Sequence, residues 1–284
     1  MTARTHSVAA FQLNRTRADG APEVSVVTPM HDEAENVAPL IAEIVAALVE
    51  FEFEIIAVDD RSGDDTLGAL RLTQESVPEL RIFAHARQAG QSRALRTGVL
   101  AARAPVVVTI DGDGQNDPAD IPTLVKALSD PQAGPDIALV GGRRRKRQDS
   151  VPKRLAASFA NGVRKRILKD GADDTGCGLK AFYRDAYLRL PYFDHMHRYI
   201  PALMRREGLE VRFVDVAHRP RLHGASNYSN WQRLAVAFRD LLGVIWLNSR
   251  AKSPEAVTEL PPSKTVSEEA RAFEKNYVKL RANQ

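Results

Sequence analysis

Short apolar runs alternate along this chain with longer stretches whose apolar residues recur at helical spacing. Residues 24–28 (VSVVT), 54–58, 81–84, 106–110 (VVVTI) and 137–140 read as buried strands. Residues 36–50, with Leu40, Ile44 and Leu48 on one face, predict a helix, as do a segment from about Asp64 and residues 90–102. This alternation predicts an α/β fold with a mostly parallel sheet covered by helices on both faces. Ligands of such sheets bind beyond the carboxyl ends of the strands. The unusual polar residues stand there: Pro29-Met30-His31-Asp32-Glu33 after the first strand, Asp59-Asp60-Arg61-Ser62 after the second, Asp111-Gly112-Asp113 after the fourth.

Past Gly142 the rhythm changes. A long helix is predicted over 153–169, then a Gly-rich turn, a short strand over 179–183, another helix and a strand over 211–216. From Trp231, Leu234, Ala235, Phe238, Leu241, Leu242, Ile245 and Trp246 keep helical spacing with arginines among them. The expected organisation is a leader of low order (1–22), a catalytic domain (23–228), an amphipathic helix (229–250) and a polar tail (251–284), which holds a short amphipathic pattern over 267–280. A helix with a Trp at each end fits interfacial binding to a bilayer, and it fits a core or dimer helix equally well.

Composition narrows the classes. The 284 residues include one cysteine, Cys177, so no intrachain disulfide forms and a reducing compartment is expected. The first twenty residues lack the apolar core of a secretory signal, and no stretch reaches the ~20 apolar residues that span a bilayer. A soluble or peripheral protein is the expectation. Net charge is only +4, yet residues 143–169 hold eleven Lys or Arg and one acid, Asp149. Segregation of this kind points to an anionic partner: phosphate, anionic lipid or nucleic acid. No aromatic-studded RNA motif or zinc-finger spacing accompanies the basic run, so nucleic acid is not expected.

Asp111-Gly112-Asp113-Gly114-Gln115 carries the sharpest chemistry. Alternate residues of an extended segment share a side, so Asp111, Asp113 and Gln115 can converge on one ion, and hard oxygen donors suit Mg²⁺ or Mn²⁺. An EF-hand begins similarly, but Asn116 and Pro122 occupy its Gly and Glu positions. The plainer alternative is an Asx-rich turn with solvated carboxylates. Asp60 could accept hydrogen bonds from a base or ribose, or cap the next helix, as could Asp64 or Asp65. Cys177 reads as a small packed residue, and the histidines show no metal-binding spacing.

VSVVTPMHDEAEN, IIAVDDRSGDDT, the run from Gly90 to Gly98 and VVVTIDGDGQNDP resemble the successive motifs of family-two glycosyltransferases of the GT-A fold. DDTGCGLKAF, HRYIPAL and HRPRLHGASNY are similar to the dolichyl- and polyprenyl-phosphate sugar synthases within that family. The likeness runs from about Val24 to Asn248 with the motifs in family order. It implies an inverting, metal-dependent enzyme that moves a hexose, with mannose from GDP-mannose as the expected donor, onto a polyprenyl or dolichyl phosphate. The expected setting is the cytoplasmic face of the inner membrane, peripherally held, with a membrane-protein partner.

The same resemblance assigns residues. Pro29, Glu33 and Asp60 would line the nucleotide pocket, and Asp111, Asp113 and Gln115 would hold the metal. Arg143 and Arg154 would hold the acceptor phosphate, with Ser158 on the same helix side as Arg154, and Asp174 would position the acceptor. His197 and Arg198 would sit near the acceptor, and Ser226 belongs to the Gly-x-Ser run. Arg61 stands where the family commonly has Gly. Asn227 stands where its synthases often have Lys, which leaves Arg221 and His218 as diphosphate contacts. A saccharide acceptor, or a non-catalytic scaffold on anionic membrane, are the rival readings. Base, sugar, lipid length and oligomeric state stay open at this stage.

Overall fold

The computed structural model describes residues 4–7, 13–130, 132, 134, 137–144, 168, 171, 174, 176–220, 230–252 and 256–259. For 4–7, 230–235, 237 and 256–259 it describes the backbone alone. Arg154, Ser158, Arg221, Ser226, Asn227, the expected helix over 153–169 (apart from Leu168) and the pattern over 267–280 lie outside the described residues.

The strands are β1 (Arg4–Ser7), β2 (Val24–Met30), β3 (Phe53–Asp59), β4 (Leu80–Ala84), β5 (Val106–Thr109), β6 (Ile137–Arg144), β7 (Lys180–Tyr183), β8 (Glu210–Val216) and β9 (Ala256–Glu259). The helices are α1 (Ala34–Ala47), α2 (Thr66–Gln74), α3 (Gln91–Ala101), α4 (Ile121–Ser129), α5 (Arg184–Leu188), α6 (Ile200–Arg206) and α7 (Asn230–Ser249), with 3₁₀ turns at Pro118–Asp120 and Met196–Arg198. The α4 helix and its 3₁₀ lead-in were not anticipated from sequence. The expected leader and tail each contain a strand, β1 and β9, and the two pair antiparallel.

Seven strands form one sheet in the order β4-β3-β2-β5-β7-β6-β8. All neighbours are parallel except β7, which is antiparallel to both β5 and β6. The near-continuous burial of β2, β3 and β5 fits strands covered on both faces. From β2 the chain winds outward through α1, β3, α2 and β4, then crosses back through α3 to β5 on the other side of β2. Right-handed crossovers therefore put α1 and α2 on one face and α3 on the other. The winding reverses between β2 and β5, which opens a crevice at their carboxyl ends.

Close packing holds α3 over that crevice. A Cβ on Gly98 would lie 2.3 Å from Val27 Cγ1, so the helix reaches β2 only because residue 98 has no side chain. The reversed strand β7 matters as much. Its first residues pair with the end of β5, Lys180 opposite Thr109, so the segment leading into β7 arrives at the carboxyl edge of the parallel strands.

Candidate active site

The crevice is a cavity of about 330 Å³ lined by Pro29, Glu33, Asp60, Gln91, Asp111 and Asp113, among others. Four of the residues expected in the nucleotide and metal sites thus share one wall system with Asp113. Glu33 accepts a hydrogen bond from Asn36 Nδ2 at 2.6 Å, and its own N–H donates to Thr66 Oγ1 at 2.9 Å. Asp60 is held at the end of β3: its carboxylate accepts from Ala89 N at 2.9 Å and Gly90 N at 2.7 Å, and meets His85 Nδ1 at 2.7 Å. Asp60 is therefore no helix cap; it fixes the loop between β4 and α3. Arg61 follows in a left-handed conformation, φ +62°, which explains why Gly suits that position.

Asp111 continues directly from β5. Its Oδ1 accepts from Gln91 Nε2 at 2.8 Å, at the first residue of α3. Its carboxylate rests on the backbone of Gly178, where a Cβ would lie 2.2 Å from Oδ2. Burial pushes the Asp111 pKa up to about 6, helped by the negative charge of Asp113 and opposed by Lys180, Arg144 and the Gln91 hydrogen bond. Two hard carboxylates whose repulsion raises a pKa are relieved by a cation between them, so the donor set fits Mg²⁺ or Mn²⁺. Among the described residues no group of three or more His, Cys, Asp and Glu side chains is gathered for a metal. The protein offers a partial shell, of the kind that water and substrate phosphates complete. Gln115 is tied by its backbone: its N–H donates to Asp113 Oδ1 at 3.1 Å and its carbonyl accepts from Arg219 N at 2.9 Å.

The segment before β7 supplies the second wall. Asp174, 7% exposed, takes a bidentate pair from Arg144, with Nε at 2.5 Å from Oδ2 and Nη2 at 2.7 Å from Oδ1. That pairing raises the Arg144 pKa above its ordinary value, with burial opposing it. Arg143 faces the other way, donating from Nε to Asp215 Oδ1 on β8 at 2.7 Å in an exposed pair. Strand alternation puts the two arginines on opposite sides, and the one turned toward Asp111 and Asp174 is Arg144, which sequence reading passed over. Lys180, buried, donates to the Cys177 carbonyl and has its pKa lowered chiefly by burial. Cys177 is buried beside it, a packed residue, with its thiol pKa raised by burial.

His218 follows β8 and bridges to Asn116, next to Gln115; burial lowers its pKa, with Arg144 adding to that. His197 is enclosed against α3. Its Nδ1 lies 2.8 Å from Ser92 Oγ, and burial, then Arg198, holds its pKa well below 6.5. His197 and Arg198 end a 3₁₀ turn packed on α3, one residue along from Gln91. Gly178 and Lys180 were within a quoted motif; their partnership with Asp111 had no signal in the sequence.

A mixed sheet wound about a switch point, with an Asp-x-Asp motif after the central strand, is the GT-A arrangement that the resemblance to family-two glycosyltransferases implied. The model of the glycosyl transferase family 2 matches residues 25–190, more than half of the chain. The protein belongs to that family. It is 34% identical over 230 residues to the dodecaprenyl-phosphate galacturonate synthase of Rhizobium johnstonii, covering 79% of this chain and 67% of the relative. It is 33% identical over 224 residues to the undecaprenyl-phosphate 4-deoxy-4-formamido-L-arabinose transferase of Photorhabdus laumondii, covering 78% and 67%. The match thus spans about two thirds of these relatives' length.

Solved structures agree on the fold. Glucosyl-3-phosphoglycerate synthase of Mycobacterium tuberculosis, in complex with Mn²⁺, UDP and glucosyl-3-phosphoglycerate, superposes with a TM-score of 0.61 at 18% identity, covering 86% of this chain and 89% of that one. A mannosyltransferase of Pyrobaculum calidifontis with GDP-Man and Mn²⁺ gives 0.58 at 19% identity, covering 93% and 74%.

Proposed function

We propose that the protein transfers a sugar from a nucleotide diphosphate donor to a polyprenyl phosphate at a membrane surface, with inversion at the anomeric carbon. The observation that carries this reading is the Arg144–Asp174 pair, whose guanidinium acts on the carboxylate of Asp111 in the crevice wall. The donor diphosphate would lie against the Asp111–Asp113 motif, with His218 as a side-chain contact and Arg221, outside the described residues, as the other expected one. A divalent Mg²⁺ or Mn²⁺ held by Asp111, Asp113 and Gln115 would supply charge stabilisation for the departing nucleotide diphosphate.

The chain's own residues prepare the acceptor. Arg144, a planar fork of donors, suits a phosphate oxygen pair. Asp174 holds the Arg144 fork in place. A phosphate monoester has a second pKa near ~6, so it arrives ionised at neutral pH and needs no strong general base. Its oxygen attacks the anomeric carbon, the glycosidic bond to the donor phosphate breaks, and the nucleotide diphosphate leaves with that electron pair. The polyprenyl acceptor rests on the names of the relatives. Those names specify galacturonate and formamido-arabinose, so they lend the expected mannose from GDP-mannose no support.

The membrane surface has an independent support in α7. Leu241, Val244, Ile245 and Leu247 turn toward the core, while Phe238, Leu242 and Trp246 are 62, 51 and 61% exposed. These three recur every fourth residue and form one apolar stripe, with Arg250 over the Trp246 ring at 5.9 Å. No helix among the described residues is long and apolar enough to cross a membrane. The stripe suits a peripheral mode, alone or beside a membrane-protein partner.

The test is transfer of label from a panel of nucleotide sugars to undecaprenyl phosphate, extracted into organic solvent. Metal-dependent transfer that is lost in Asp113→Ala supports the reading. Transfer to soluble saccharide in place of the lipid would replace the acceptor, and full turnover by Asp113→Ala would sink the metal assignment. Failure of the protein to sediment with anionic liposomes at low salt would remove the membrane surface.

A further inference from the structure

Behind the donor crevice, arginines gather with no carboxylate to meet them. The loop between β4 and α3 is a shared wall: Gln88 and Gly90 line the crevice, while Arg87 and Ala89 line a second cavity of about 470 Å³. Arg93, on the face of α3 turned away from Gly98 and β2, lines that cavity too. Its guanidinium lies over the Tyr192 ring, 3.7 Å from the centroid, and Arg96, one turn along, approaches the same ring at 5.5 Å. Stacking on an aromatic face fixes a guanidinium and leaves its in-plane N–H donors for an acceptor. Other arginines of the chain find carboxylates, as Arg81 and Arg103 do on Glu54 and Arg189 does on Asp185. Among the described residues Arg87, Arg93 and Arg96 form no ion pair. Two donors here are also buried and unmatched, Arg96 Nη1 and the Tyr187 hydroxyl. Burial raises the Tyr187 pKa and the charges of Arg96 and Arg93 oppose it, so the hydroxyl shares their surroundings. Like charges around one ring repel, and buried donors without acceptors are costly; an anion relieves both.

From this cluster we infer that Arg87, Arg93, Arg96 and Tyr192 form a binding site for the phosphodiester headgroup of an anionic membrane lipid, separate from the donor crevice. The inference rests on the membrane-surface reading of α7. The turn that carries Tyr192 joins the two helices. His197 Nδ1 lies 2.8 Å from Ser92 Oγ on α3, and His195 Nδ1 lies 3.2 Å from Asp240 Oδ2 on α7. Helical spacing puts Asp240 on the side of α7 away from Phe238, Leu242 and Trp246, so this pair attaches the helix with its apolar stripe outward. On α3 the exposed Leu100 stands seven residues after Arg93 and four after Arg96, on their face. Cationic donors beside exposed apolar side chains suit a headgroup together with its acyl chains. A soluble anion would use the arginines alone.

The experiment is sedimentation of the full chain with vesicles of phosphatidylcholine, alone or mixed with phosphatidylglycerol. The wild-type protein is expected to bind the anionic vesicles more tightly. Arg93→Ala/Arg96→Ala is expected to weaken that binding at least ~10-fold, from the contribution of each basic side chain at an anionic surface. Its metal-dependent nucleotide binding is expected to stay unchanged, which also shows that the variant folds. Arg71→Ala, an exposed control on α2 across the sheet, is expected to bind as the wild type does. Arg93→Lys keeps the charge, loses the planar fork and is expected to bind severalfold more weakly. Undiminished binding by the double variant, an equal loss in Arg71→Ala, or full binding by Arg93→Lys overturns the site and leaves the membrane reading standing. Calorimetric binding of inorganic phosphate that the double variant loses, with vesicle binding alike in both proteins, would make the ligand a soluble anion. Failure of the wild-type protein to bind either kind of vesicle removes the membrane reading and this site together.

Discussion

Single residues set the local chemistry here, and their strain and pairing make it testable. Arg61 pays a backbone penalty in its left-handed conformation, exposed and at φ +62°. Arg61→Gly is expected to raise stability by about 1 kcal/mol, measured by urea denaturation. The two neighbouring arginines should separate cleanly. Arg144 is 13% exposed and holds the buried Asp174, whereas Arg143 is 44% exposed at its side chain. Arg144→Ala leaves a buried carboxylate without its fork and should cost about 3 kcal/mol. Arg143→Ala should cost less than about 1 kcal/mol. Equal losses for the two variants would refute the assignment of Arg144 to the interior. From sequence, Arg143 was the expected phosphate ligand; a run of five consecutive basic residues carries no mark of which one points inward.

At the scale of elements, the packing of α3 on β2 sets how the crevice closes. Gly98→Ala drives a methyl into Val27, and the helix must move or the strand must bend. A loss of about 1–3 kcal/mol in chemical denaturation is expected, with weaker metal-dependent nucleotide binding because Gln91 shifts with its helix. Unchanged stability would mean that α3 is free to slide. The parallel strands were legible because strands buried on both faces read as continuous apolar runs: 24–28, 54–58 and 106–110 fall within β2, β3 and β5 or at their edges, and 81–84 falls within the half-buried edge strand β4. The helix α4 was not, although Ile121, Leu124, Val125 and Leu128 keep helical spacing, because Pro118 and Pro122 mark its start as a turn.

For the whole molecule, the charge at the metal motif couples folding to pH. The folded pKa of Asp111, about 6, lies above the ordinary 3.8, so between those values the folded state binds more protons than the unfolded chain. Metal-free stability from this group is then greatest at low pH and is lost as pH rises from 3.8 to about 6. Asp111→Asn should flatten that part of the profile and raise the metal-free Tm at pH 7.5. Mn²⁺ should raise the Tm of the wild-type protein, since a ligand of the folded state alone stabilises it, and leave Asp111→Asn almost unmoved. A Mn²⁺ shift of equal size in both proteins would put the ion elsewhere.

The sequence by itself determined the α/β class, the four leading strands and the edge at which polar residues gather. These follow from local pattern: burial on both faces makes a strand continuously apolar, and the chain must turn just beyond it. The spacing of Asp111, Asp113 and Gln115 suggested a metal site, and the family likeness added the residues expected to line the nucleotide pocket. What only the tertiary structure decided is how the second half of the chain closes the site. The direction of β7 is set by which neighbours it pairs with, and four residues of apolar pattern look the same either way. Running antiparallel, β7 delivers Gly178 and Lys180 to Asp111, and the pleat of β6 then turns Arg144 toward Asp174. Those partnerships join residues about thirty to seventy positions apart, and their physics is that of contact, burial and charge, which no local window of sequence contains.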